Sequence, residues 1–121
     1  MAYESPNSTV RREACYETAA GNGAVSAKFA HFQKMRLVAV HAQVTVAGTS
    51  AGNTLVIKHA TTAIGTFTLG TSTARTSVSI DMADRAIASL EDLTATNGTD
   101  ATGRALVIYE YQVDHDAVRS S

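Results

Sequence analysis

Between Leu37 and Val113, apolar and polar residues alternate along one segment after another, with short turn-rich stretches between them. The clearest case is the stretch Arg36–Ala47, in which every even-numbered residue from Val38 to Val46 is apolar. A period of two places successive side chains on opposite faces of a β-strand. The even-numbered face is therefore predicted to pack against a core, and the chain is predicted to be all-β.

Frequent turns and the absence of βαβ spacing predict an antiparallel β-sandwich or jelly roll of about eight strands. A length of 121 residues fits one domain. The single cysteine, Cys15, allows no internal disulfide, so packing must hold the fold. The predicted organisation is an extended N-terminal arm at 1–13, a β-sandwich domain at 14–113 and a flexible C-terminal tail at 114–121.

Short loops predict that strands next to each other in the sequence pair as hairpins. The first such loop, Gly48–Asn53, is expected to place Val44 opposite Ile57, so that the apolar faces of both strands join. The turn at 97–103 is expected to close a final hairpin between the segment around Leu93 and the long strand that ends at Val113.

One segment departs from the alternating pattern. From Met82 to Leu93 the apolar residues approximate helical spacing, and Asp81 is suited to cap a first turn. This pattern predicts one short helix or, alternatively, a long crossover.

Charge and hydropathy exclude several classes of partner. Ten Lys and Arg residues stand against eleven Asp and Glu residues, so no strong field attracts nucleic acid or an anionic membrane. The N-terminal residues carry no signal-peptide pattern, and no stretch has the apolar length of a transmembrane helix. We therefore expect a soluble protein that is made in the cytoplasm and has no nucleic-acid or membrane partner.

The sequence contains no catalytic or phosphate-binding motif. No Gly-x-Ser-x-Gly element or phosphate-binding loop occurs, so no catalytic residue, cofactor or small-molecule substrate is predicted. His41 and His59 are expected on opposite sheet faces, which predicts no metal site. A small hydrolase or metal enzyme remains an alternative that would require a cleft with perturbed titratable groups.

The polar segment Met1–Glu13 precedes the first strand pattern and ends in Arg11, Arg12 and Glu13. Such segments often become ordered only on a partner, so the arm is expected to lie across a neighbouring subunit. The two arginines either contact nucleic acid or an acidic partner surface, or are solvated, and solvation is favoured.

Three turn-and-strand motifs support a resemblance: the segments Leu93–Val113, Ile57–Gly70 and Val46–Gly52. Together they resemble the corresponding parts of small structural proteins of tailed bacteriophages. The resemblance covers most of Leu37–Val113 and leaves out the arm and the tail.

The resemblance implies a capsid decoration or cement protein on the outer surface of the phage head, made in the host cytoplasm. Such a protein would clamp adjacent subunits of the major capsid protein, as a homotrimer. It implies no catalytic residue. The expected partner-contact residues lie in the arm and in two loops: Arg11, Arg12, Thr49, Ser50, Asn53, Asn97, Thr99 and Asp100.

The alternative is a receptor- or polysaccharide-binding module of a virion spike, fibre or tail, which would need an exposed aromatic platform in its loops. The chain has no tryptophan and only seven Phe and Tyr residues. Tyr109 and Tyr111 share strand parity with apolar residues, so both are expected to be buried. The small supply of free aromatic rings favours the capsid interpretation.

Overall fold

A computed structural model describes residues 11–71, 77–100 and 102–113, and at 77–81, 83 and 84 it describes the backbone alone. Within these ranges the chain is all-β and contains no helix. The eight strands are β1 (Arg12–Glu17), β2 (Val25–Phe29), β3 (Met35–Val46), β4 (Thr54–His59), β5 (Thr62–Thr68), β6 (Ser77–Ile87), β7 (Leu93–Asn97) and β8 (Arg104–Val113). The predicted all-β sandwich is confirmed.

The strands form two four-stranded antiparallel sheets. The first sheet has the order β1-β8-β3-β6, and the second has the order β2-β7-β4-β5. Every connection except β4–β5 passes from one sheet to the other, which is the topology of a jelly roll. Loops 18–24, 47–53 and 98–103 meet at what we call the Asp100 end, and loops 30–34, 60–61 and 88–92 meet at the Phe32 end.

The core fills the space between the inner faces of the two sheets. Its largest fully buried side chains are Met35, Leu37, Val40, Val44, Leu55, Ile57, Phe67, Ile87, Leu93, Val107 and Tyr109. Both sheets contribute to this set, so neither sheet could keep its apolar face from water without the other.

The prediction for β3 is right in its centre and wrong at its ends. Val40, Ala42 and Val44 are buried, whereas Val38 is half-buried and Val46 is exposed. A register shift between Leu37 and Ala39, against both neighbouring strands, changes the face on which alternate residues lie.

The hairpins predicted at loops 48–53 and 97–103 do not form. Strands β3 and β4 lie in different sheets, so Val44 pairs with Ala105, and Ile57 pairs with Ala95 and Gly65. Strands β7 and β8 are separated in the same way. Alternation reports which face of a strand is buried, and it does not report which sheet the strand joins. The intervening loops are long enough to cross the gap of about 10 Å between packed sheets.

The predicted short helix within Met82–Leu93 is also wrong. Residues up to Ile87 belong to β6, an edge strand beside β3, and residues 88–92 form a loop. Met82 and Ile87 are five positions apart, so strict alternation would place them on opposite faces, but both are buried. The register shift in β6 brings both side chains inward and produces a spacing that imitates a helix.

Most of the predicted arm and the whole predicted tail lie outside the described residues. The residues concerned are 1–10 and 114–121. Strand β1 begins at Arg12, so Arg12 and Glu13 belong to the first sheet rather than to an arm.

Tyr109 and Tyr111 are buried, as predicted. Their rings pack on Phe29, with centroid distances of 5.6 and 5.1 Å. The Tyr109 hydroxyl donates a hydrogen bond of 2.7 Å to the carbonyl oxygen of Ala27. Ala27 has a φ of 51° at the irregularity in β2, so this bond anchors a distorted strand to the opposite sheet. Burial raises the pKa of the Tyr109 hydroxyl, which keeps it a neutral donor.

Replacing Tyr109 by Phe tests this anchor. The Ala27 carbonyl would lose its donor in a buried position, so the Tyr109→Phe variant is expected to lose about 1–3 kcal/mol of unfolding free energy in urea denaturation. The matched control is Tyr16→Phe, because the Tyr16 side chain is exposed. Equal midpoints for the two variants would contradict the anchoring role.

Candidate functional site

The Asp100 end brings together the two loops from which partner contacts were predicted. Loop 47–53 and loop 98–103 touch through direct hydrogen bonds. Six of the eight predicted contact residues lie in these loops or at the end of β7 that leads into the second of them: Thr49, Ser50, Asn53, Asn97, Thr99 and Asp100.

The carboxylate of Asp100 links the two loops. Its Oδ2 accepts hydrogen bonds from the backbone N–H groups of Thr49 and Ser50, and its Oδ1 accepts from those of Thr102 and Gly103, all at 2.8 Å. The residue is only 3% exposed. The N–H groups of Gly103 and Thr102, followed by those of the other loop, lower the pKa of this carboxyl although burial opposes them.

Asn53 fixes the same end from inside. Its side-chain amide donates to the carbonyl oxygen of Gly70 at 3.0 Å, and its backbone carbonyl oxygen accepts from the N–H groups of Leu69 and Gly70. The amide nitrogen lies so close to Gly48 and Gly103 that a Cβ at those positions would come within 2.4 and 2.7 Å of it. Both glycines are therefore required by the buried amide between them.

Asn97 holds loop 18–24 in place through its side-chain amide. Its side-chain amide donates to the carbonyl oxygens of Ala19 and Gly21, at 2.6 and 3.1 Å. Asn53, Asn97 and Asp100 are all buried. Burial and hydrogen bonding assign these three side chains to building the loops rather than to the outer surface.

Partner contact at this end stays a prediction for all six residues, of which three reach the surface. Thr49 and Thr99 are exposed and Ser50 is half-buried. The Thr99 hydroxyl donates to the carbonyl oxygen of Gly52 at 3.4 Å, which keeps it close to the opposite loop. These hydroxyl groups form a small polar rim.

The two predicted arginine contacts differ in their surroundings. Arg11 donates to Glu110 at 2.8 Å on the outer face of the first sheet, where His41 lies 3.0 Å from the other oxygen of the same carboxylate. The hydrogen bond from His41, followed by that from Arg11, lowers the pKa of the Glu110 carboxyl. Arg12 is exposed and has no ion-pair partner among the described residues. The guanidinium of Arg12 is thus the more available of the two.

His41 and His59 do not come together. His41 lies in the first sheet, and His59 lies in the second, where its Nε2 is 2.8 Å from an oxygen of Glu91. Among the described residues, no three His, Cys, Asp or Glu side chains are grouped as a metal site requires. The same ranges contain no helix of sufficient length and apolarity to span a membrane.

The Phe32 end carries a surface feature that sequence reasoning missed. Phe32 and Leu90 are 70% and 69% exposed. Leu90 donates its N–H to the carbonyl oxygen of His31 at 2.9 Å, and the Ser89 hydroxyl donates to the carbonyl oxygen of Phe32. The ring of His31 stacks on that of Phe32 at a centroid distance of 4.9 Å. We call the exposed pair Phe32 and Leu90 the apolar tip.

The sequence feature that could have revealed this tip is a large aromatic residue in a short polar loop. Phe32 stands between His31 and Gln33, directly after the alternating segment that ends at Phe29. Leu90 was hidden because its spacing fitted the predicted helix.

Comparison with known proteins identifies a fold but not a family. No protein-family model and no curated protein matches the sequence. Among solved structures, the chain is similar to one in the acidic-stable capsid of Helicobacter pylori bacteriophage KHP30, with 11% identity over 87% of this chain and 94% of that chain, and a TM-score of 0.55.

Two further similarities involve enzymes that act on polysaccharides. The C-terminal CBM6 of the marine laminarinase LamC from Zobellia galactanivorans has 10% identity over 88% of this chain and 94% of that chain, with a TM-score of 0.50. A glycoside hydrolase family 43 arabinoxylan arabinofuranohydrolase from Bacillus subtilis has 12% identity over 80% of this chain and 20% of that chain, also at 0.50. Identities this low establish a common jelly-roll fold alone.

Replacing Asp100 by Asn is expected to lower the melting temperature by several degrees. The amide keeps one acceptor oxygen, but its NH2 group would face two backbone N–H donors that then have no acceptor. The matched control is Asp92→Asn, because Asp92 makes only an exposed ion pair with Lys28 at 3.3 Å. A melting temperature for Asp100→Asn equal to that of the control would show that the loops hold without the carboxylate.

The lowered pKa of Asp100 also predicts a pH dependence. A carboxyl with a lower pKa in the folded than in the unfolded chain, where it is about 3.9, stabilises fully above that value. This contribution is lost as the pH falls through the folded-state pKa. The melting temperatures of the original protein and of Asp100→Asn should therefore differ by a constant amount above about pH 4 and converge only as the pH falls further, through the lowered folded-state pKa of Asp100. A difference that stays constant below about pH 4, down to acid unfolding, would contradict the assignment.

Proposed function

We propose that this protein is a structural component of a tailed-bacteriophage virion, a decoration protein that binds the outer surface of the head and stabilises contacts between major capsid subunits. The main support is the similarity of the whole jelly roll to a chain of a phage capsid, which covers 94% of that chain. The turn motifs within Leu37–Val113, which resemble small phage structural proteins, point in the same direction.

The physical action of such a protein is mass action on assembly. A protein that binds the assembled shell and not the free subunits stabilises the shell by RT ln(1 + [L]/Kd) at each site. Here [L] is the concentration of the free decoration protein and Kd is its dissociation constant for the shell. Many sites on one particle add up, although each contributes little. The proposal assigns no reaction to the chain, and it includes association into a homotrimer on the shell.

The Asp100 end supports a scaffold role. Its loops are fixed by buried hydrogen bonds of Asn53, Asn97 and Asp100, so the surface that they carry is rigid. A rigid surface loses little conformational entropy when it binds. This property suits a protein that has to occupy many equivalent positions with the same geometry.

A polysaccharide-binding module is the second candidate, favoured by an exposed aromatic ring and by one structural similarity. The ring of Phe32 is largely exposed and stacks on His31, as an aromatic platform for a sugar would require. The similarity to the CBM6 of the laminarinase extends over most of that module. The aromatic platform would be confined to this tip.

Reconstitution of virions tests the capsid role. Particles from a phage that encodes this chain, grown without its gene, are expected to bind the purified protein saturably in co-sedimentation and to release DNA at a higher temperature after binding. Cryo-electron microscopy of the decorated particles should show the jelly roll on the outer surface. Failure to bind, together with retention on a glycan array, would replace the capsid role by the polysaccharide-binding role.

Oligomeric state is a separate expectation. Light scattering over a concentration series is expected to give a mass three times that of the 12.7 kDa chain, either free or once bound to particles and released. A strict monomer in both conditions would contradict the homotrimer and leave shell binding to single copies.

A further inference from the structure

We propose that the apolar tip, flanked by the arginines Arg12, Arg36 and Arg85, is the surface that docks on the partner, and that the partner offers an apolar pocket on an acidic protein surface. This inference rests on the proposed function, in which the capsid shell is that partner. It moves the main contact from the predicted loops at the Asp100 end to the opposite end of the sandwich.

The two exposed residues of the apolar tip lie in loops that are hydrogen-bonded to each other. Phe32 and Leu90 come from different loops, and two hydrogen bonds hold those loops together: Leu90 N–H to the carbonyl of His31, and the Ser89 hydroxyl to the carbonyl of Phe32. Single exposed apolar residues are common on proteins, but adjacent large ones held rigidly are typical of the anchors in an interface.

The backbone of Leu90 adds an independent observation. Its φ is 64°, a conformation that glycine and asparagine adopt readily and a bulky side chain adopts at a cost. Strain of this kind persists where the surrounding structure enforces it, and it is concentrated at functional positions. Stability alone would favour glycine here, so the leucine side chain is best explained by what it contacts outside the chain.

The charges around the tip indicate the chemistry of the partner. Arg12 pairs in register with Tyr111, whose ring is 5.5 Å from that of His31. Arg36 and Arg85 lie opposite Ala86 and Leu37, close to where β3 begins and β6 ends. The three arginines are exposed, and none has an ion pair among the described residues.

The two carboxylates in the described loops at this end are already engaged. Glu91 accepts from Ala88 N–H at 2.9 Å and lies 2.8 Å from His59, and Asp92 pairs with Lys28. Among the described residues, these loops therefore offer no free carboxylate to the three arginines. A partner surface that carries carboxylates around an apolar pocket would complement them.

The polar groups beside the Phe32 ring argue for a protein partner over a sugar. A sugar site needs donors and acceptors that are free to bind hydroxyl groups next to the ring. Here His31 Nδ1 accepts from Gln33 N–H at 3.1 Å, and the Ser89 hydroxyl and the Glu91 carboxylate have the partners given above. These groups stabilise the loops, which leaves apolar contact as the main chemistry of the tip.

The decisive variants separate docking from folding. Leu90→Asn removes the apolar side chain and relieves the backbone, so its melting temperature should equal or exceed that of the original protein. Its affinity for capsid shells that lack the protein should fall by about tenfold or more in co-sedimentation, and Phe32→Ser should do the same. The matched control is Val25→Ser, because Val25 is 64% exposed on the second sheet, away from the tip.

The arginines have their own test. Arg36→Glu and Arg85→Glu should slow association with the shells and reduce its dependence on salt concentration, because like charges would then face each other. Arg104→Glu is the control, since Arg104 is exposed at the start of β8, at the Asp100 end.

Each outcome decides the inference. Shells that bind the original protein, Leu90→Asn and Phe32→Ser equally would overturn it and leave the capsid role intact. A change of oligomeric state in the two tip variants would overturn it by showing that the tip joins copies of this chain, and glycan binding lost with Phe32 would overturn it in favour of a sugar. Failure of the original protein to bind any shell would overturn the proposed function and this inference together.

Discussion

The hydrogen bonds of the Asp100 carboxylate are the constraint on which the rest of the structure depends. Both loops that they join pass from one sheet to the other, so four backbone N–H groups accepted by one side chain also fix the sheets relative to each other. Without an acceptor these donors would be buried and unsatisfied, which is costly in any fold. Asn53 fits beside the carboxylate only because Gly48 and Gly103 leave room for it.

The sequence predicted what depends on local periodicity. The sandwich, its antiparallel strands and the burial of Tyr109 follow from which residues alternate, and all are present. Strand partners were wrong because alternation is the same whether the next strand lies alongside or across the core. The false helix near Met82 has a related cause, since a register shift in an edge strand changes the spacing of buried residues without changing their number.

The candidate site could be predicted only in part, for a different reason. Asn, Asp and Gly mark the loops of the Asp100 end, and the structure brings those loops together. Composition alone cannot distinguish an aspartate that accepts four buried N–H groups from one that is solvated, because the distinction depends on contacts between residues about 50 positions apart. The apolar tip was missed because Leu90 fitted a helical pattern that the edge strand had produced.

The two ends of the sandwich thus have opposite physical characters. At the Asp100 end, polar side chains are turned inward and satisfied, which gives stability and leaves a small polar rim at the surface. At the Phe32 end, two apolar side chains are turned outward, and one of them is held in an unfavourable backbone conformation. A small surface can bind tightly only if its anchors are already in place, because ordering them on contact would consume the gain. Phe32 and Leu90 meet this condition, because the hydrogen bonds between their loops hold them before any contact is made.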